Sequence, residues 1–144
     1  MTGRLGRFFA LPLAEQSRTL EAFLYLLTVR LAFALLAFPR VLRLLGIVQG
    51  EAGSGRITAS EAHEVSRAVA RAARHAPFRA ICLQQAFAAL LMLRRRGLAA
   101  TVHFGLARDG SGDLRAHAWA RCGGVPVTGD SAAPGFVPIA AFAA

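Results

Sequence analysis

The hydrophobic period of this chain changes once, at Gly97, and that switch constrains its fold class more than any other feature. Before it, apolar residues recur at helical spacing; after it, they alternate. Thr58 to Ala76 reads as a helix whose apolar positions are mostly alanine and valine, which suits close helix packing. Thr58 or Ser60 is the expected N-cap, and Thr58-Ala59-Ser60-Glu61 has capping-box spacing. Pro77 breaks that helix, and a second runs from Cys82 to about Arg96 with Gly97 as its C-cap. Beyond the switch, Ala100 to Ala107 is a strand, Asp109 to Asp113 a turn, and Arg115 to Arg121 a second strand. Cys122-Gly123-Gly124 then turns tightly into Val125 to Thr128. Helices followed by an antiparallel meander make an α+β fold.

At 144 residues, one domain is expected, with two regions inside it. The first, over 1–48, is an apolar helical region. Leu13 to Phe38 is nearly apolar all round, which invites a membrane-spanning reading. Glu21 and Arg30 oppose it, since a charge facing lipid is costly. A helix buried in protein, or presenting an apolar face to a partner, fits better, with membrane contact as the other reading. Pro39 interrupts the run, and Arg40 to Leu45 forms a short helix that Gly46 can cap. Gln49 to Arg56 holds three glycines and a serine and reads as a linker. The second region covers 57–144.

Chemistry concentrates in that second region. Cys82 stands where a helix begins, His117 lies on a strand 35 residues later, and Asp130 follows 13 beyond it. A thiol needs a base to become a nucleophile, and an imidazole needs a carboxylate to fix its tautomer and stabilise its charged form. Cys82, His117 and Asp130 therefore compose a nucleophile–base–orienter triad. The partial positive charge of a helix N-terminus favours the thiolate. Asp130 is placed by register: His117 and Asp130 lie about equally far from the Gly123-Gly124 turn, so antiparallel pairing can set them opposite each other. For the oxyanion, the Cys82 backbone N–H is one donor, and Gln84 or Gln85 a second.

Other residues carry plainer readings. Cys122, in a turn, has no base in register and receives no role. His103 is a rival base one strand earlier, better read as a half-buried strand residue, and His63 and His75 look solvated. Asp109 and Asp113 are turn formers. Trp119 shares the face of His117 by strand alternation and can wall the site or pack the core. Arg94-Arg95-Arg96 reads as the cationic C-terminal end of a helix.

Composition excludes several classes. All 17 basic residues are arginine, so lysine nucleophiles and bases are ruled out, as is a phosphate loop ending in lysine. Two cysteines 40 apart and four scattered histidines lack the short-spaced pairs of a structural zinc site; neither metal nor cofactor is expected. The formal charge of +9 suits an acidic peptide, an anionic membrane or nucleic acid, but no nucleic-acid reader motif is present. With no signal peptide visible, free thiols in a cytoplasmic setting are expected, with membrane association as an addition.

The order Cys, His, Asp on a helix and successive strands resembles the papain-like transglutaminase core. More narrowly, Cys82-Leu83-Gln84-Gln85-Ala86, Leu93-Arg94-Arg95-Arg96-Gly97-Leu98 and His117-Ala118-Trp119 resemble the B proteins of lasso-peptide biosynthesis. Leu11-Pro12-Leu13 and the Pro39-broken helix are also similar to that family's N-terminal region. The resemblance implies a catalytic-Cys helix packed on a small antiparallel sheet, and a leader peptidase acting on a precursor peptide. It also implies a macrolactam cyclase as partner. The family's fused form carries a recognition domain, for which about 80 further residues would be needed. The split form is therefore expected, working with a separate leader-recognition protein. Two alternatives stand beside it: a non-catalytic membrane-associated adaptor, and an amide transferase using the same triad.

Overall fold

The computed structural model describes residues 3–53, 56 and 58–144, without the Arg4 side chain; Ser54 and Gly55 of the expected linker, and Ile57 at the expected start of the second region, lie outside the described residues. Five helices occupy the first two thirds: α1 (Arg4–Phe9), α2 (Leu13–Leu35), α3 (Phe38–Leu45), α4 (Ala59–His75) and α5 (Cys82–Arg95). The strands are β1 (Val48–Gln49), β2 (Thr101–Arg108), β3 (Leu114–Cys122), β4 (Val125–Thr128) and β5 (Val137–Ala143). They form one antiparallel sheet in the order β1-β5-β2-β3-β4. The fold is α+β, as the change of period predicts.

Each helix boundary has a local cause. Pro39 sits in the first turn of α3, where its missing N–H costs nothing, and Gly46 caps that helix at φ +68°. Thr58 takes the N-cap position of α4 but makes no side-chain cap bond. The expected capping box does not form, because Glu61 instead accepts a hydrogen bond from Arg56 at 2.5 Å. The expected linker is likewise partly structured. Val48 and Gln49 pair with Ala143 and Phe142, and the Ala52 N–H donates to Thr101 Oγ1.

The last strand, β5, has no counterpart in the sequence reading. Pro138 and the preceding Pro134 obscure its pattern. Pro138 is tolerated because β1 pairs only with the far end of β5, so no neighbour awaits its absent N–H on that side.

α5 is the buried centre of the molecule. Phe87, Leu90, Leu91, Met92 and Leu93 are almost wholly excluded from water. α2 contributes Ala22, Leu26 and Val29 to the same core, so the N-terminal helices and the sheet share one hydrophobic interior. Phe33, Phe38, Phe87, Phe104 and Phe142 meet where α2, α3, α5 and the sheet converge, with centroid separations of 5.3 to 6.4 Å. The other side of α2 stays open: Leu20, Leu24, Leu31 and Leu35 are at least half exposed. Their spacing of four and seven places them along one stripe. Among the described residues no helix is long and apolar enough to cross a membrane.

The arginine run has a specific partner. Glu21 of α2, with a side chain only 12% exposed, accepts hydrogen bonds from Arg95 at 3.0 Å and from Arg96 at 2.7 Å. Burial pushes the Glu21 carboxyl up, but the hydrogen bonds and charge of Arg96, then Arg95, outweigh it and hold the group below its ordinary value. Such a depressed carboxyl stabilises the fold above the usual carboxylate range, and that contribution is lost as pH falls through the folded value. Glu21→Gln should therefore cost about 2–3 kcal/mol near neutral pH, as expected for hydrogen bonds to a charged group. Urea titrations at descending pH should show the parent and the variant converge in acid.

Candidate active site

Cys82 is the first residue of α5, and its position is built by the segment before it. Pro77 follows the end of α4, and Phe78 to Ile81 leads into α5. Arg30 of α2 clamps this segment: its guanidinium lies 4.9 Å from the Phe78 ring centre and donates to the Arg79 carbonyl at 3.4 Å. The charge that makes a membrane-spanning α2 costly thus fastens the approach to the cysteine. The Gln85 amide donates to the Ala80 carbonyl at 2.8 Å, closing the turn from within α5. Among the described residues no side chain caps the helix start, so its first backbone N–H groups remain available as donors. Cys82 is half-buried there, against the edge of the core.

Of the two expected amide donors, Gln85 is committed to the Ala80 carbonyl. Gln84, 7% exposed, has its Oε1 buried without a hydrogen-bond partner among the described residues. It stands two residues after Cys82, on the buried side of the first turn.

Strand alternation decides where His117 goes. Ala118, Ala120 and Cys122 of β3 join the core under α5. His117, Trp119 and Arg121 therefore face the other side of the sheet. There the indole of Trp119 is stacked between two imidazoles, with centroids 5.8 Å from His117 and 5.7 Å from His103. Phe136 covers His117 at 5.1 Å. Gly105 makes room for this stack, because a Cβ there would lie 2.9 Å from the Trp119 ring and 2.8 Å from Phe136. His117 Nε2 lies 2.8 Å from the Gly129 carbonyl oxygen, which can only accept. Nε2 therefore carries a proton, and Nδ1 is the basic nitrogen of a neutral ring.

Asp130 follows directly. β4 ends at Thr128, opposite Ala120, and Gly129 turns the chain at φ +65° into a 3₁₀ turn over Asp130–Gly135. A Cβ on Gly129 would meet the Ala118 carbonyl and His117 Nε2, both at 2.9 Å, so this turn needs glycine twice over. The Asp130 carboxylate lies 3.4 Å from Arg121 Nε. Pairing of β3 with β4 stops at Thr128, so Asp130 lies beyond the register expected to set it opposite His117. In this structure the imidazole is held by the backbone carbonyl one residue earlier.

A depression of about 360 Å³ on the Trp119 side of the sheet is lined by His103, Trp119, Arg121, Asp130 and Pro134, and His117 shares that side without lining it. Cys82 lies with α5 on the other. Among the described residues no hydrogen bond joins Cys82 to His117. Arg121 and Phe136 are the neighbours that sequence reasoning omits. Arg121 was within reach of it, since residues 117, 119 and 121 share a face. Phe136 was not, because it arrives through β5's unrecognised approach. The second thiol is of another kind. Cys122 is fully buried and donates to the Ala99 carbonyl at 3.1 Å, and burial, with a smaller contribution from the Glu61 charge, pushes it up. Among the described residues, no group of three or more histidine, cysteine or acidic side chains is arranged to hold a metal ion.

A family model of the transglutaminase-like superfamily matches residues 25–141, from within α2 to β5. This chain belongs to the transglutaminase-like superfamily. The match covers the Arg30 clamp, the Cys82 helix, the meander and the Gly129 turn. Transglutaminase-like proteins are in general cysteine proteases or transferases on a papain-like fold, and the chemistry expected of this chain is of that broad kind. Neither the curated proteins nor the solved structures yielded a match.

Proposed function

We propose that this protein is a cysteine peptidase that removes the leader from a lasso-peptide precursor, working with a separate leader-recognition protein and a cyclase. The observation that carries the reading is Cys82 itself: a half-buried thiol at the uncapped start of α5, inside a transglutaminase-like domain. Cys82 as thiolate attacks the carbonyl at the leader–core junction. The helix-start N–H groups, Cys82's own among them, receive the developing oxyanion, and Gln84 supplies a side-chain amide beside them. His117 takes the thiol proton and returns one to the leaving amine, and water then hydrolyses the thioester. Asp130 orients the imidazole once its carboxylate leaves Arg121.

This sequence of steps requires Cys82 and His117 to meet. Beyond Thr128 the edge of β3 beside His117 is covered by the Gly129 turn, which has to move for that meeting. Release of the Gly129 carbonyl frees the ring, and the β3 backbone beside it has to shift to bring the imidazole to Cys82. The exposed leucines of α2 supply the docking face for the recognition protein or the cyclase, and Arg30 links that helix to the Cys82 approach.

The separation of Cys82 and His117 favours a second reading, a non-catalytic binding protein. Alkylation kinetics distinguish the two. With precursor and recognition protein present, iodoacetamide should modify Cys82 rapidly near neutral pH and spare Cys122, and His117→Ala should slow the reaction at Cys82. A rate indifferent to His117→Ala, with and without partners, would leave only the binding protein. Mass analysis of the released product distinguishes hydrolysis, which leaves a free carboxylate, from amide transfer.

A further inference from the structure

The molecule carries a second apolar and basic surface, which the triad does not use. At the corner where α1 crosses α2 and α4, two cavities adjoin. One, of about 270 Å³, is mostly apolar, lined by Leu5, Phe8, Leu20, Phe23 and Ala72 together with Thr19 and His75. The other, of about 420 Å³, is cationic, lined by Arg7, Arg71, Arg74 and His75 together with Phe8 and Leu11. Phe8 and His75 belong to both, so the apolar and basic spaces are continuous. Around them Leu5, Phe9 and Leu13 stand 69 to 82% exposed. Leu5 and Phe9 lie four residues apart on α1 and so share a face.

Charge at this corner is largely uncompensated. Glu15 pairs with Arg71 at 3.6 Å, and Arg71 also donates to Thr19; the nearby Arg18 is occupied by Glu64. Arg7 and Arg74 have no carboxylate partner among the described residues. A formal charge of +9 on the whole chain adds a long-range attraction for anions.

We propose that this corner docks peripherally on an anionic phospholipid leaflet. Arg7 and Arg74 hold headgroup phosphates. Leu5, Phe9 and Leu13 enter the acyl boundary, and the apolar cavity takes a chain end beside them. The juxtaposition of an apolar space with a basic one reproduces the order of parts in an anionic lipid. An extended acidic peptide fits less well, because among the described residues this surface is helical and offers no strand edge to pair with it.

Co-sedimentation of the full chain with vesicles tests this directly. Binding is expected to vesicles containing phosphatidylglycerol, not to phosphatidylcholine alone, and should weaken steeply with added salt. Arg7→Gln with Arg74→Gln should reduce it by roughly 30-fold, about fivefold for each charge removed near the surface. Leu5→Ser with Phe9→Ser should reduce it at unchanged charge. Unaltered circular dichroism and melting show that the variants remain folded. Three results would each overturn the proposal: no preference for phosphatidylglycerol, full displacement by soluble glycerol phosphate, or an equal loss from Arg40→Gln with Arg43→Gln on α3. The last would mean that net charge alone is sensed. None of these readouts depends on peptidase activity.

Discussion

Cys82→Ser should abolish leader release while leaving the fold intact, because a serine hydroxyl at the start of α5 is far less acidic than the thiol it replaces. Turnover should fall by ~10³-fold or more, the range seen when a nucleophile is removed from a catalytic unit. The side chain is half-buried at the edge of the core, so exchanging sulfur for oxygen leaves no large void, and the melting temperature should barely move. Cys122→Ser should do the reverse. It places a hydroxyl in a fully buried position, where the Ala99 carbonyl can accept its hydrogen bond, and should leave turnover near the parent's. Release of the leader by the Cys82 variant at the parent's rate, followed by mass spectrometry, would end the peptidase reading.

The second large effect is expected at Asp130, where the structure sharpens the test. If the Asp130 carboxylate orients His117 during turnover, Asp130→Asn favours the wrong tautomer and lowers turnover by up to ~10⁴-fold, with little change in peptide binding. In this structure that carboxylate lies beside Arg121, and Gly129 supplies the oxygen facing the imidazole. Arg121→Gln should therefore free Asp130 and keep turnover at or above the parent's. Asp113→Ala, in the preceding turn, should be silent. Full activity in Asp130→Asn would assign the orienting role to the Gly129 carbonyl. Single-turnover rates measured beside peptide affinity separate a chemical defect from a binding one.

Much of the framework was legible along the chain. Pro39 and Gly46 bracket α3, Pro77 separates α4 from α5, and the Gly123-Gly124 turn joins β3 to β4, because each acts through its own backbone conformation. The edge strand β1 and the proline-bearing β5 were not legible. Each exists only through pairing with distant residues: Val48 with Ala143, Val137 with Leu106. The capping box at Thr58 failed for a related reason. Arg56 claims Glu61 more strongly than the local backbone does.

The candidate site divides the same way. Residue order alone supplied a thiol at a helix start, an imidazole on a strand and a carboxylate beyond a turn, since these follow from local periods and turn chemistry. Alternation also places His117 and Trp119 on one face before any packing is known. Which face α5 would cover is a tertiary matter, decided by where the small residues Ala118 and Ala120 let the helix approach. That choice sets Cys82 on one side of the sheet and His117 on the other. It also gives the imidazole to the Gly129 carbonyl and the Asp130 carboxylate to Arg121. Sequence names the reacting groups because chemistry resides in side chains; only the packed structure decides which of them are neighbours, because that depends on contacts no local pattern encodes.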